Sequence, residues 1–308
     1  MTTMVTGNYV RSTTSPLGNL TFLTAKAAEA HKKEFIYIVG QSPTDMQIDK
    51  MMGFEGFGAA SRTDEGATPD KKVITESYTD SIRQEKYQIE MAMTIEQQMF
   101  SLRNADFVGQ MAKMRAESIA LAYDYNAVIP YTDGFATEVT SDAAYVFSAS
   151  HVWRSDSSNF SNLLTTAEFS APALGDALKQ IAQQEKESNV KVNVMPKEIR
   201  FGTEYILTIK EVLKTMKDPD TANNTYNAVV DWNLKPVMNH YMNANDWFIS
   251  CASGKTDELV RLKESKSPTF YQDKQESGAL NIVMGGYCLF GVGTQHSNAI
   301  NLYGNSGS

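Results

Sequence analysis

A chain of 308 residues, 42% hydrophobic and 21% charged, has enough apolar content for one elaborate domain or two intertwined ones, which excludes disorder over its whole length. Its formal charge of -8 argues against a broad basic surface that grips phosphate backbones, because neutralising phosphates needs clustered Lys and Arg. Cys251 and Cys288 are the only cysteines and form no CxxC pair, so neither a disulfide framework nor a zinc knuckle is expected, and a reducing compartment is.

The first twenty residues, "MTTMVTGNYVRSTTSPLGNL", lack the basic start and apolar run of a signal peptide and read as an extended arm. No window approaches the roughly 18 uninterrupted apolar residues of a membrane span. A soluble protein made in the cytoplasm, without a membrane partner, is expected. A weakly helical stretch covers 23–39. The Gly-rich, charged run 56–72, "GFGAASRTDEGATPDKK", has no core pattern and suggests a lid, a binding loop or an excursion towards a neighbour. "YQIEMAM" then alternates, with Tyr87, Ile89, Met91 and Met93 on one side, which is strand period.

At Thr94 the period changes. Thr94 and Gln97 fit a capping box, and Phe100, Phe107, Met111, Met114, Leu121 and Tyr125 recur at helical spacings, with Ile119 and Ala122 widening the stripe. The pattern predicts one long helix from about Thr94 to about Tyr125. A second helix begins at Ser170, with Pro172 just inside and Leu174, Leu178 and Ile181 on one face. "VKVNVMP" reads as a short strand through Val190, Val192 and Val194. "GTEYILTIKEVLKT" reads as a third helix with Ile206, Ile209 and Leu213 inward. A polar turn-rich loop, 217–227, precedes apparent strands at "AVVDWNL" and "DWFISCA". "ALNIVMGGYCLFGVG" closes the set as a buried strand or strand pair with a Gly-Gly break.

"SASHVWRSDSSNFSNLL", 148–164, holds the types that nucleophilic catalysis needs: His151 with Ser148, Ser150, Ser155, Asp156 and Ser157 close by. No G-x-S-x-G elbow accompanies them, and Ser and Asp are common in loops, so a structural loop competes with a hydrolase using His151. His31, His151, His240 and His296 show no metal-ligand spacing, and no glycine run ends in the Lys of a phosphate cradle. No catalytic, cofactor-binding or metal residue is therefore assigned, and no cofactor is expected.

The order of the parts carries a resemblance. "YQIEMAMTIEQQMF" looks like a loop-to-spine junction, "SHVWRSDSSNFSNLL" is similar to an H-x(n)-S-N-L stretch, and "VNVMPKEIRFGTE" looks like a strand ending in Pro before a helix. Together they resemble the major capsid proteins of tailed bacteriophages, whose fold is the α+β HK97-like fold. The resemblance implies an N-terminal arm over 1–55 and an extended β loop over 56–92. It implies a peripheral domain with the spine helix over 93–129 and 254–308, and an axial α/β domain over 130–253. It further implies a non-enzymatic subunit that self-assembles as pentamers and hexamers into an icosahedral virion shell enclosing double-stranded DNA, without sequence-specific binding. Assembly in the bacterial host cytoplasm, a separate scaffolding protein, a portal and a decoration protein belong to the same expectation. An encapsulin-type nanocompartment, with an inner groove for cargo peptides, is the alternative on the same fold.

Overall fold

The computed structural model describes residues 33–56, 60–69, 71–94, 105–187, 190–214, 227–273 and 281–307. The single helical turn α1 (Phe35–Ile38) leads into the short strand β1 (Gly40–Pro43). Next, β2 (Ile48–Glu55) pairs antiparallel with β3 (Thr75–Arg83), so the end of the expected arm is one side of a hairpin. Every described residue from 60 to 69, between these strands, is exposed. The alternation of "YQIEMAM" appears as β4 (Glu85–Thr94), where Tyr87, Ile89 and Met91 are half-buried and Gln88, Glu90 and Ala92 exposed.

The long helix is α2 (Ala105–Thr132), 28 residues and roughly 42 Å at 1.5 Å per residue. It differs from its expected form in two ways. Thr94 ends β4, paired with Asn281, while Gln97 and Phe100 lie outside the described residues, and the C-terminal end runs past Tyr125 to Thr132. Pro130 sits in the last turn, where its missing N–H removes one intrahelical bond without stopping the helix. The buried face is also rotated: Ala112, Ala116, Ile119, Ala120, Tyr123, Ala127 and Val128 are inside, whereas Met114 and Tyr125 are 63% and 59% exposed. Alanines let the helix axis approach the sheet, and counting large apolar residues overlooks a face built from small ones.

The small hairpin β5 (His151–Val152) and β6 (Asn159–Phe160) is followed by α3 (Ala171–Ala182). The Ser170 hydroxyl accepts the Ala173 N–H at 3.3 Å, and Leu174, Leu178 and Ile181 are buried, as their spacing predicts. "VKVNVMP" is strand only at its start: β8 (Val190–Lys191) pairs with β7 (Glu185–Lys186), and Val192 and Val194 pack as half-buried coil. β9 (Glu198–Phe201) precedes the third expected helix, α4 (Ile206–Lys214). The loop 217–227 lies outside the described residues except for its last residue, Asn227.

"AVVDWNL" is a 3-10 helix, Ala228–Trp232, not a strand. The Asn227 side chain accepts the Val229 N–H at 3.2 Å, and Asn233 in the left-handed region (φ 48°) closes the turn. β10 (Lys235–Met238) and β11 (Trp247–Ser250) follow, the second as expected from "DWFISCA". β12 (Val260–Asp273) is a long strand whose charged residues hid it from a hydrophobicity reading. β13 (Asn281–Thr294) runs unbroken through Gly285 and Gly286, because Tyr271 and Phe270 of β12 lie where Cβ atoms would stand. A 3-10 helix, His296–Asn301, leads to β14 (Leu302–Asn305).

Two four-stranded sheets collect eight of these strands, in the orders β1-β12-β13-β4 and β10-β9-β11-β14, and the other six pair as β2-β3, β5-β6 and β7-β8. The first carries α2 on one face. Stacked rings fill that interface: Tyr87 on Phe290 at 4.4 Å, Phe290 on Tyr123 at 4.1 Å and Tyr123 on Phe35 at 5.3 Å. Leu174, Leu178 and Ile181 of α3 and Ile209 of α4 join Ile199, Trp247 and Ile249 of the second sheet in another core. The closing segment serves both: β12 and β13 enter the first sheet and β14 the second. Cys251 and Cys288 are free and buried.

Candidate functional site: a buried polar hub and an apolar hairpin

His151 opens β5 fully buried, its ring stacked on Phe160 at 5.1 Å. Its Nδ1 lies 2.9 Å from Asp142 Oδ2 and its Nε2 3.3 Å from the Val146 carbonyl. Both ring nitrogens are thus committed, and neither is left to deprotonate a serine. Asp156, the carboxylate nearest in sequence, instead accepts the backbone N–H (2.9 Å) and hydroxyl (2.6 Å) of Ser158 in an exposed turn. The triad suggested by composition is not assembled.

The real partner, Asp142, comes from the loop after α2. Its Oδ1 accepts the Ala144 N–H at 3.1 Å and the Thr140 hydroxyl; its Oδ2 faces His151, the Val152 N–H (3.3 Å) and, at 3.3 Å, His296 Nε2. Burial pushes the Asp142 carboxyl up, but the His151 and His296 rings and the Thr140 hydroxyl outweigh it and hold it well below the usual carboxylate range. Nothing in the sequence marks Asp142 or His296 as neighbours of His151.

Asn162, the polar residue of the S-N-L match, is a buried clamp. Its side chain accepts the Ser148 N–H at 2.8 Å and donates to the Val146 carbonyl at 2.7 Å, while its carbonyl accepts the Gly304 N–H at 3.0 Å. The 148–164 segment is therefore tied to the last strand.

Buried acids also tie the β2–β3 hairpin to this region. Glu55 accepts the backbone N–H groups of Arg154 (3.0 Å) and Ser155 (2.7 Å), and Asp80 accepts that of His296 (2.8 Å). Burial raises the Asp80 pKa despite those hydrogen bonds. Where β2 bulges at Gly53, a Cβ would meet Ser297 of the terminal 3-10 helix at 2.6 Å, so this face of the hairpin lies close against that helix.

On its opposite face the hairpin is apolar and uncovered. Ile48, Met52 and Phe54 of β2 are 49%, 48% and 69% exposed, and Val73 and Ile74 before β3 are 83% and 63% exposed. One strand face with several large exposed apolar residues marks a surface suited to burial against another chain. No helix among the described residues is long and apolar enough to cross a membrane.

No protein-family model and no curated protein matches the sequence, so the likeness to known proteins rests on shape. The chain superimposes on the capsid of Myoviridae phage XM1 at 10% identity, covering 90% of this chain and 92% of that one, with a TM-score of 0.53. The fold is the HK97-like capsid fold. The capsid of cyanophage P-SCSP1u matches at 10% identity over 88% of this chain and 86% of its own, TM-score 0.54. A virus-like particle from Pyrococcus furiosus matches at 10% identity over 95% and 100%, TM-score 0.50. These likenesses agree with the α+β architecture expected from the sequence.

Proposed function

We propose that the chain is the major capsid protein of a tailed phage, a structural subunit that assembles into an icosahedral shell around double-stranded DNA. The observation that carries this reading is the likeness to phage capsid folds over about nine-tenths of the chain. The uncovered apolar hairpin supports it, since a thin shell needs surfaces that are stable once neighbours bury them. Closed shells arise when heterologous contacts repeat with a rotation that closes. In this reading 1–55 is the arm, 56–92 the extended loop, 93–129 and 254–308 the peripheral domain, and 130–253 the axial domain. The pairing of β2 with β3 supports extending the loop back to Ile48. Pentamers and hexamers would form in the bacterial host cytoplasm with a scaffolding protein, a portal and a decoration protein, and the finished shell would reside in the virion. The acidic charge of -8 suits an inner surface that encloses DNA without gripping it.

An encapsulin-type shell has the same fold, and particle contents separate the two. Particles purified from producing cells and treated with nuclease are expected to retain long duplex DNA. Particles that hold a copurifying enzyme and no DNA would replace the phage reading with the nanocompartment.

A further inference from the structure

We infer that Asp142, His151 and His296 form a binding site for a borderline-soft divalent cation of the Zn2+ class. The three donor atoms, Asp142 Oδ2, His151 Nδ1 and His296 Nε2, lie within 4.8 Å of one another. Two of their separations are 2.9 Å and 3.3 Å. Metal–ligand bonds of about 2.0–2.2 Å in a tetrahedral set separate neighbouring ligand atoms by roughly 3.3 Å, so small shifts would admit the ion.

The hydrogen-bond pattern gives the cluster its direction. His151 Nε2 lies 3.3 Å from the Val146 carbonyl and Nδ1 2.9 Å from the Asp142 carboxylate, so each ring nitrogen faces an oxygen acceptor. A proton on Nδ1 bridges that closer contact, and a divalent cation that displaced it would take the same nitrogen and oxygen as ligands. An imidazole whose far nitrogen is held by a backbone carbonyl is a common arrangement behind a metal ligand.

His296 is the second, independent observation. It is fully buried, neither ring nitrogen has a hydrogen-bond partner, and its Nε2 stands 3.3 Å from the same Asp142 oxygen without the alignment of a hydrogen bond. A buried imidazole left without hydrogen-bond partners is costly, and ligation of a shared ion through Nε2 would remove part of that cost. Two imidazoles and one carboxylate suit Zn2+ or a similar late first-row ion, whereas Ca2+ and Mg2+ favour all-oxygen sets. A polar cavity of about 560 Å³ is lined in part by Asp80, Thr140 and Ser141, the last adjacent to Asp142 in the chain. The bound ion would join the loop after α2, strand β5 and the terminal 3-10 helix, and reach β3 through Asp80, which accepts the backbone N–H of His296. Its role would be structural.

The competing occupant is a proton on His151 Nδ1, hydrogen-bonded to Asp142. Titration of the EDTA-treated, full-length wild-type protein with Co2+ distinguishes them, with circular dichroism to verify folding. The expected result is one Co2+ per chain, with the visible absorption of a four-coordinate site that Zn2+ displaces, and a melting temperature that rises on adding Zn2+. His296→Gln, similar in volume, is expected to lose the absorption and the Zn2+-dependent rise, while His240→Gln at an exposed site keeps both. A folded wild-type protein without the cobalt absorption, whose melting is the same in EDTA and in Zn2+, would overturn the inference and leave the proton. Absorption that persists in folded His296→Gln would overturn the ligand assignment.

Discussion

Glu258 and Arg200 form a two-pronged ion pair in the interior, with Arg200 Nη2 2.6 Å from Oε1 and Nη1 3.0 Å from Oε2. The same guanidinium donates to the Tyr131 hydroxyl at 2.7 Å and to the Ile38 carbonyl at 3.0 Å. One arginine on β9 thus holds the end of α2, the turn α1 and the segment before β12. Glu258→Ala would leave the buried cation only the Glu198 carboxylate, 3.2 Å from Nη2 and touched at one oxygen. A loss of about 3–5 kcal/mol is expected in chemical denaturation, and an unchanged midpoint would show that the pair is not a strut.

Gly286 is where α2 meets the first sheet. A Cβ there would stand 2.6 Å from Phe270 Cδ1 and 2.7 Å from Ile119 Cδ1. Gly286→Ala is expected to destabilise the fold by about 1–3 kcal/mol through overpacking. Thermal melting measures it, and a neutral result would mean that helix and strand have slack between them.

Asp246 supplies a pH dependence. Burial raises its carboxyl pKa, and the hydrogen bond from Asn243 at 2.9 Å only partly offsets this. A folded pKa above the unfolded value of about 3.9 means that ionising Asp246 costs the native state. That cost is absent below about pH 3.9, grows as pH rises through the folded pKa and is constant above it. Asp246→Asn keeps an oxygen for Asn243, so it should match wild type in acid and exceed it in stability at pH 7. Equal stability at both pH values would refute the sign.

Periodicity made α3, α4, β4 and β11 legible, and Ser170 marked the start of α3 by its capping chemistry. Other elements were hidden for physical reasons. β12 alternates charged residues along a strand whose partners, β1 and β13, come from opposite ends of the chain. The inner face of α2 includes Ala112, Ala116, Ala120 and Ala127, which carry little weight in a hydrophobicity pattern. In the Asp142–His151–His296 cluster, Asp142 lies nine residues before His151 and His296 comes from the far end of the chain, so the shortest spacing pointed to Asp156 instead. The resemblance to capsid proteins lay in the order of elements, which these local errors did not disturb.

The hairpin tests the shell reading at one residue. Phe54 is 69% exposed, so Phe54→Asp should change the stability of the subunit by no more than about 0.5 kcal/mol. Assembly is expected to fail, because a charge would then be buried against a neighbour. Size-exclusion chromatography with light scattering reads both species, and wild-type assembly of the variant would remove the hairpin from the contact.

The most direct test of the central claim is negative-stain electron microscopy of the purified full-length protein at high concentration. The account predicts uniform closed shells, or rings of five and six subunits. A protein that stays a stable monomer at every concentration would contradict it.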